Sequence, residues 1–222
     1  MNVFHYPKIK HTRTITPPQF TRYQSYKRYL QVEFSRVCVY CRQPDCTAPN
    51  LNYSVDHYRP NDKFKNLLVT YSNLFYCCGQ CNSRKNAYWP LDEKKGPYVV
   101  NPCDYAMTNH LRFDSNTGQI EKKTSHGEHT IDLLQLNDPK LVTYRRLQLR
   151  LIKQTEAGLL ECRNLQKQLK NRLKKQTITQ QEFDEEMAEL DSEITELQAI
   201  YDMHTGAVPT RPLPRIRAGV KP

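Results

Sequence analysis

The chain has 222 residues, 38% of them hydrophobic, with 33 Lys and Arg against 23 Asp and Glu for a formal net charge of +10. That supports one ordinary domain plus an extension, with a core modest enough to need further support. The basic balance favours a polyanionic partner, nucleic acid first, and disfavours a membrane, because no apolar run approaches the ~18 residues of a span.

The N-terminal segment MNVFHYPKIK has neither the apolar core nor the cleavage site of a secretory leader, so a reducing cytoplasm is expected. Residues 1–20 read as a basic arm carrying +3. In residues 21–36, Tyr23, Tyr26, Leu30 and Phe34 recur at steps of three and four, which predicts a short helix leading into Cys38. Segments 53–58 and 67–77 are rich in Tyr, Val, Leu and Phe and read as strands. A helix is expected to begin near Cys81 and to end at Trp89-Pro90, since a residue before proline avoids helical geometry. Residues 111–122 read as a hairpin with its turn at Asn116 to Gly118.

From Asp138 the pattern is helical, with a stripe through Leu141, Tyr144, Leu147 and Leu151 that Leu165, Leu169 and Leu173 continue. After a break at KKQTIT, Thr179 and Glu182 form a capping-box pattern. Phe183, Met187, Leu190, Ile194, Leu197 and Tyr201 then follow at heptad spacing. The first segment is basic and the second acidic, which predicts an antiparallel helical hairpin over 138–205. It serves either as packing for the core or as a surface for a partner or a second copy. The tail 206–222, rich in Pro and Arg, is expected to be disordered, its charge serving solubility or nucleic-acid contact.

Eight cysteines in a reducing compartment read as metal ligands or free thiols rather than disulfides. Cys38-Val-Tyr-Cys41 and Cys78-Gly-Gln-Cys81 are two CxxC knuckles, and four thiolates so paired suit tetrahedral zinc. Cys77 competes with Cys78, but only Cys78 completes a CxxC with Cys81. A four-cysteine site is closed, so its zinc would brace the fold and not catalyse. Cys46, Cys103 and Cys162 receive no role.

Between and beside the knuckles lie VDHYRP and SNLFYCCGQCNSRK. CVYC, then Asp56-His57, then Asn73 five residues before Cys78, then a CxxC leading into Asn82 with Lys85 nearby, resembles an HNH endonuclease of the zinc-bracketed kind. The resemblance spans residues 38–85 and departs from many members in having Asn82 where they have His. HYRP, CNSRKNAYWP, NPCD, the hairpin and HTIDLLQLN with LVTYRR are similar to a bacterial subgroup. It includes the HNH subunit of Septu anti-phage systems and retron accessory nucleases, which work with an ATPase.

The resemblance implies an α+β fold. A zinc-braced ββα-metal nuclease domain at 21–137, with the N-terminal helix at its start, would precede the C-terminal helical hairpin. It also implies divalent-metal-dependent phosphodiester cleavage, in DNA first, with RNA such as tRNA as the alternative. A zinc-ribbon nucleic-acid-binding module without catalysis is the rival. His57 is the expected general base. Asp56, pointing the other way on its strand, and Asn82 would hold Mg²⁺ or Mn²⁺. Asn73 would hold the loop that carries His57. Arg59 and Lys85 either grip phosphates or are ordinary surface charge. His110, His126 and His129 read as surface or structural.

Overall fold

Two strands and a short helix that follow one another in sequence form the centre of the molecule. In this computed structural model, which describes residues 3–45, 52–92 and 95–206, β1 (Tyr53–His57) pairs antiparallel with β2 (Leu74–Cys78). The register runs Tyr53 opposite Cys78 to His57 opposite Leu74. Every β2 residue is buried, and α2 (Gly79–Lys85) follows it without a loop. The expected strand at 67–77 therefore forms only in its second half. Residues 71–73 are a 3₁₀ turn, because the Asn73 N–H bonds the carbonyl of Thr70 instead of a ladder partner. Helix α2 stops at Lys85, short of Trp89-Pro90. Asn86 takes φ 44° and ψ −138°, far from helical geometry, and so breaks the helix.

The segment expected as a helix over 21–36 is a 3₁₀ turn at Tyr23–Tyr26 running into α1 (Lys27–Glu33). Behind it, buried Asp45 accepts from Gln31 at 2.6 Å, Arg36 at 2.8 Å and Tyr76 at 2.6 Å, tying α1 to β2. Residues 3–20 are not a free arm. Val3, Phe4 and Tyr6 are buried, and the Tyr6 hydroxyl donates to the Tyr40 carbonyl at 2.8 Å. Buried Glu33 gathers the backbone N–H groups of Thr14 (2.8 Å) and Ile15 (3.0 Å), His11 (3.1 Å) and the Tyr71 hydroxyl (3.2 Å). Arg13 lies within 4.7–5.0 Å of the rings of Phe34, Tyr71 and Phe75. Part of the basic charge of this segment thus stacks on the aromatic core.

The second sheet is the hairpin of β3 (Leu111–Phe113) and β4 (Ile120–Lys122), with Gly118 at φ 75° in its turn. Helix α3 (Ser125–Leu134) packs on β4 and α2. Gly127 lets it do so, since a Cβ there would lie 2.0 Å from the His110 carbonyl oxygen.

Helices α4 (Pro139–Lys174) and α5 (Gln180–Thr205) form the antiparallel hairpin, and both bonds of the Thr179–Glu182 capping box are present. Its root is fastened to the core. Buried Arg145 donates from Nε to the Gly118 carbonyl at 2.7 Å and from Nη2 to the Leu136 carbonyl at 2.8 Å. Beyond that root, Leu159, Cys162 and Leu169 are buried along α4. The architecture is α+β, with two small two-stranded sheets. Residues 207–222 and Cys46, expected as disordered tail and unpaired thiol, lie outside the described residues. No described helix is long and apolar enough to cross a membrane.

Candidate metal centre and polar site

The four cysteines of the two knuckles converge. The thiol sulfurs of Cys38, Cys41, Cys78 and Cys81 all lie within 4.8 Å of one another, and all four residues are buried. Cys41 Sγ and Cys78 Sγ are 3.7 Å apart. A tetrahedral ion with Zn–S bonds of ~2.3 Å needs sulfurs about 3.8 Å apart, so the cluster fits zinc. Burial opposes ionisation of Cys38, but hydrogen bonds from Cys41, Cys77, Cys78 and Cys81 outweigh it and hold that thiol well below its ordinary range. The same hydrogen bonds to Cys38 push the Cys41 and Cys81 thiols well above their ordinary range, so the bias toward a thiolate falls on one sulfur of the four. Cys77, although adjacent, turns its sulfur to the Cys78 carbonyl at 3.3 Å and stays outside the cluster.

β1 alternates its side chains, and the two acidic–basic candidates separate accordingly. Ser54 and Asp56 face α2. Asn82 donates its amide N–H to Ser54 Oγ at 2.9 Å. Asp56, 2% exposed, has both carboxylate oxygens engaged: Oδ2 accepts from the Tyr40 hydroxyl at 2.6 Å and Oδ1 from Lys85 Nζ at 3.0 Å. Burial, and next the Asp56 carboxylate, push the Tyr40 hydroxyl well above its ordinary range, so it remains a proton donor.

One expectation needs correction here. Lys85 does not reach out to grip a phosphate. It is 1% exposed, and its ammonium lies between Asp56 Oδ1 and the His57 carbonyl, 2.7 Å away. A cation thus already holds one Asp56 oxygen, on the face of β1 that Asn82 also meets. The sequence signal for this was slight: Lys85 lies three residues after Asn82, on the same face of α2.

His57 ends β1 on the opposite face, partly exposed, with its ring edge-on to Tyr23 at 4.6 Å. His57 Nε2 lies 2.9 Å from the Leu68 carbonyl oxygen. A carbonyl can only accept, so Nε2 carries the proton and the neutral ring keeps its lone pair on Nδ1. Asn73 is buried and clamps the chain beyond His57. Its Oδ1 accepts the Arg59 N–H at 2.9 Å, its Nδ2 donates to the Arg59 carbonyl at 3.0 Å, and its own carbonyl accepts the Tyr58 N–H at 2.9 Å. Arg59 leaves this clamp with its guanidinium 4.8 Å from the Trp89 ring centre and 5.2 Å from that of Phe64. The structure thus brings His57, Asn73 and Arg59 to one end of the β1–β2 ribbon. Asp56, Lys85 and Asn82 lie under α2, and the four cysteines gather in their own buried cluster. Tyr40, inside the first knuckle, and Tyr23 joined the site without any motif to mark them.

No family model matches the chain, and no solved structure does. Among curated proteins, it is similar to the Septu protein PtuB of Bacillus thuringiensis, 31% identical over 112 residues. That stretch is 50% of this chain and 40% of the relative. It is also similar to the Septu protein PtuA of Bacillus mycoides (strain KBAB4), 24% identical over 145 residues, 54% of this chain and 20% of that protein. The chain therefore spans less than half the length of either relative.

Proposed function

We propose that the chain is an HNH-type endonuclease that hydrolyses phosphodiester bonds, DNA first and RNA second, as the effector of a Septu-type anti-phage system. The carrying observation is His57, with its Nε2 proton committed to the Leu68 carbonyl and its loop clamped by Asn73. In this reading His57 Nδ1 takes the proton from the attacking water, and Arg59 holds a phosphate oxygen at the same end of the ribbon. Asn73 is a positioning residue. Zinc at the four cysteines braces the ββα unit, and its binding energy is folding energy.

The Mg²⁺ or Mn²⁺ requirement belongs to this proposal on the oxygen chemistry of Asp56 and Asn82, and it requires Lys85 to yield Asp56. The similarity to PtuB and PtuA supports the place in anti-phage defence; in this reading the α4–α5 hairpin docks an ATPase subunit or a second copy.

The Asp56–Lys85 pair favours a second reading, a zinc-held nucleic-acid-binding module without catalysis. One experiment separates the two. Purified protein is incubated with DNA and with RNA, with and without Mg²⁺ or Mn²⁺, beside His57→Ala. The nuclease reading expects Mg²⁺- or Mn²⁺-dependent cleavage that falls roughly 10²–10⁴-fold in the variant while zinc content stays unchanged. Cleavage at parental rate by folded His57→Ala overturns the role of His57. Binding without cleavage in every condition selects the module.

A further inference from the structure

We infer that the cavity lined by Arg59 and Trp89 takes an unpaired base of the nucleic-acid strand, next to the phosphate that Arg59 holds. This rests on the nucleic-acid reading above and names how that substrate is recognised. The cavity has a volume of about 420 Å³, and its walls include Arg59, Asn73, Trp89, Tyr98, Asp104 and Tyr105. That volume lies in the range of sites that enclose a small-molecule-sized group. Arg59 and Asn73 belong to both the cavity and the clamp beyond His57, so an occupant here adjoins whatever phosphate sits at that end of the ribbon.

The walls suit a flat π-system. Tyr105 lies parallel to Tyr98, 13° between planes at 5.8 Å, and their hydroxyls are 3.0 Å apart. Tyr98 in turn stacks on His126 at 3.7 Å and 17°. Trp89 also lines the cavity, set edge-on against Tyr58 and Phe64, with the Arg59 guanidinium over it. These rings are fixed by one another, so ordering them on binding costs little. Aromatic faces and an Arg plane are the surfaces on which single-stranded bases stack.

The charges divide the occupant. Asp104 repels a phosphate from the cavity, while Arg59 attracts one to its edge. What enters beside Asp104 is therefore the uncharged base, whose amino group can donate to the carboxylate. Asp104 is held ready: Asn101 Nδ2 donates to its Oδ2 at 2.8 Å, and the Asn101 carbonyl accepts the N–H groups of Asp104 (3.2 Å) and Tyr105 (3.0 Å). A paired, stacked base cannot enter, so the strand is single or the base is flipped out.

Trp89 is the sole tryptophan, so its fluorescence reports on this cavity alone. Full-length protein without added divalent ion is titrated with short single-stranded DNA and RNA of mixed sequence, with an abasic DNA of equal length, and with dGMP. The base-bearing strand of at least one polymer should quench Trp89 and bind about 5- to 150-fold tighter than the abasic strand, the ratio one stacked base supplies. Tyr105→Ala and Asp104→Ala, both at exposed positions, should remove most of that ratio and leave the salt dependence of binding unchanged. Equal binding of abasic and base-bearing strands overturns the inference, as does dGMP binding as tightly as the strands. A base preference with no cleavage under any condition supports the cavity while removing the nuclease reading, so the two fail separately.

Discussion

The β1–β2–α2 unit and the α4–α5 hairpin solve the same problem by different physics. The first has strands of only five residues and a seven-residue helix, too little apolar surface to stand alone. It is fastened instead by directed contacts between distant residues: four thiols, the Tyr40–Asp56–Lys85 network and the Asn73 clamp. The hairpin is long and repetitive, its outer part closed by apolar residues between two neighbouring helices. Directed bonds fix side chains to a fraction of an ångström, which chemistry needs. An apolar seam fixes a direction and leaves the outer faces open, as at Leu147, Leu160 and Met203. Candidate chemistry accordingly sits in the first region.

Removing metal should break this contrast most widely. Structural zinc in small zinc-held units contributes on the order of 10–16 kcal/mol, comparable to a whole domain's stability of roughly 5–15 kcal/mol. Cys41→Ser, or a strong chelator, should abolish the fixed aromatic near-UV signal while much of the far-UV helical signal persists in the hairpin. Circular dichroism with metal analysis checks this, and a zinc-free protein with native near-UV bands would refute the centre.

Lys85→Ala comes next. It leaves a buried carboxylate without its cation, at a cost of about 3–5 kcal/mol. Denaturant unfolding should show that loss, whereas Lys174→Ala at the exposed end of α4 should show almost none.

Acid should sharpen the comparison. Burial would raise the Glu33 carboxyl, but the N–H groups of Thr14 and Ile15, with His11 and the Thr14 hydroxyl, outweigh it and hold the group below its ordinary 4.5. A depressed folded-state value means the stabilisation is complete above the unfolded value and lost as pH falls through the folded one. Melting temperature should therefore drop below about pH 4.5. Glu33→Gln should flatten that slope and loosen residues 11–15, read by amide hydrogen exchange.

The smallest effect belongs to the hairpin: Thr179→Ala removes the capping box and should cost about 1 kcal/mol of stability, leaving zinc content untouched.

What the sequence determined was what spacing alone encodes. Two CxxC pairs can fold back on one centre because each pair lies on a tight local turn, and those four sulfurs do meet. Heptad spacing and a Thr-x-x-Glu box fix α5 and its cap through neighbours three and four residues away. Alternation along β1 put Asp56 and His57 on opposite faces. What tertiary structure decided was every choice that depends on residues far apart. Whether Lys85 meets solvent or Asp56 follows from how α2 lies on β1, 29 positions apart in sequence. Residues 13–15 are fastened to the body of the molecule because Glu33 and the Phe34, Tyr71 and Phe75 rings await their N–H groups and Arg13. The cavity at Arg59 exists only because residues 98–105 fold back against Arg59 and Trp89. Local pattern carries the geometry of a turn or a helix face; the company a buried charge keeps is set by the packing of segments that no short-range period connects.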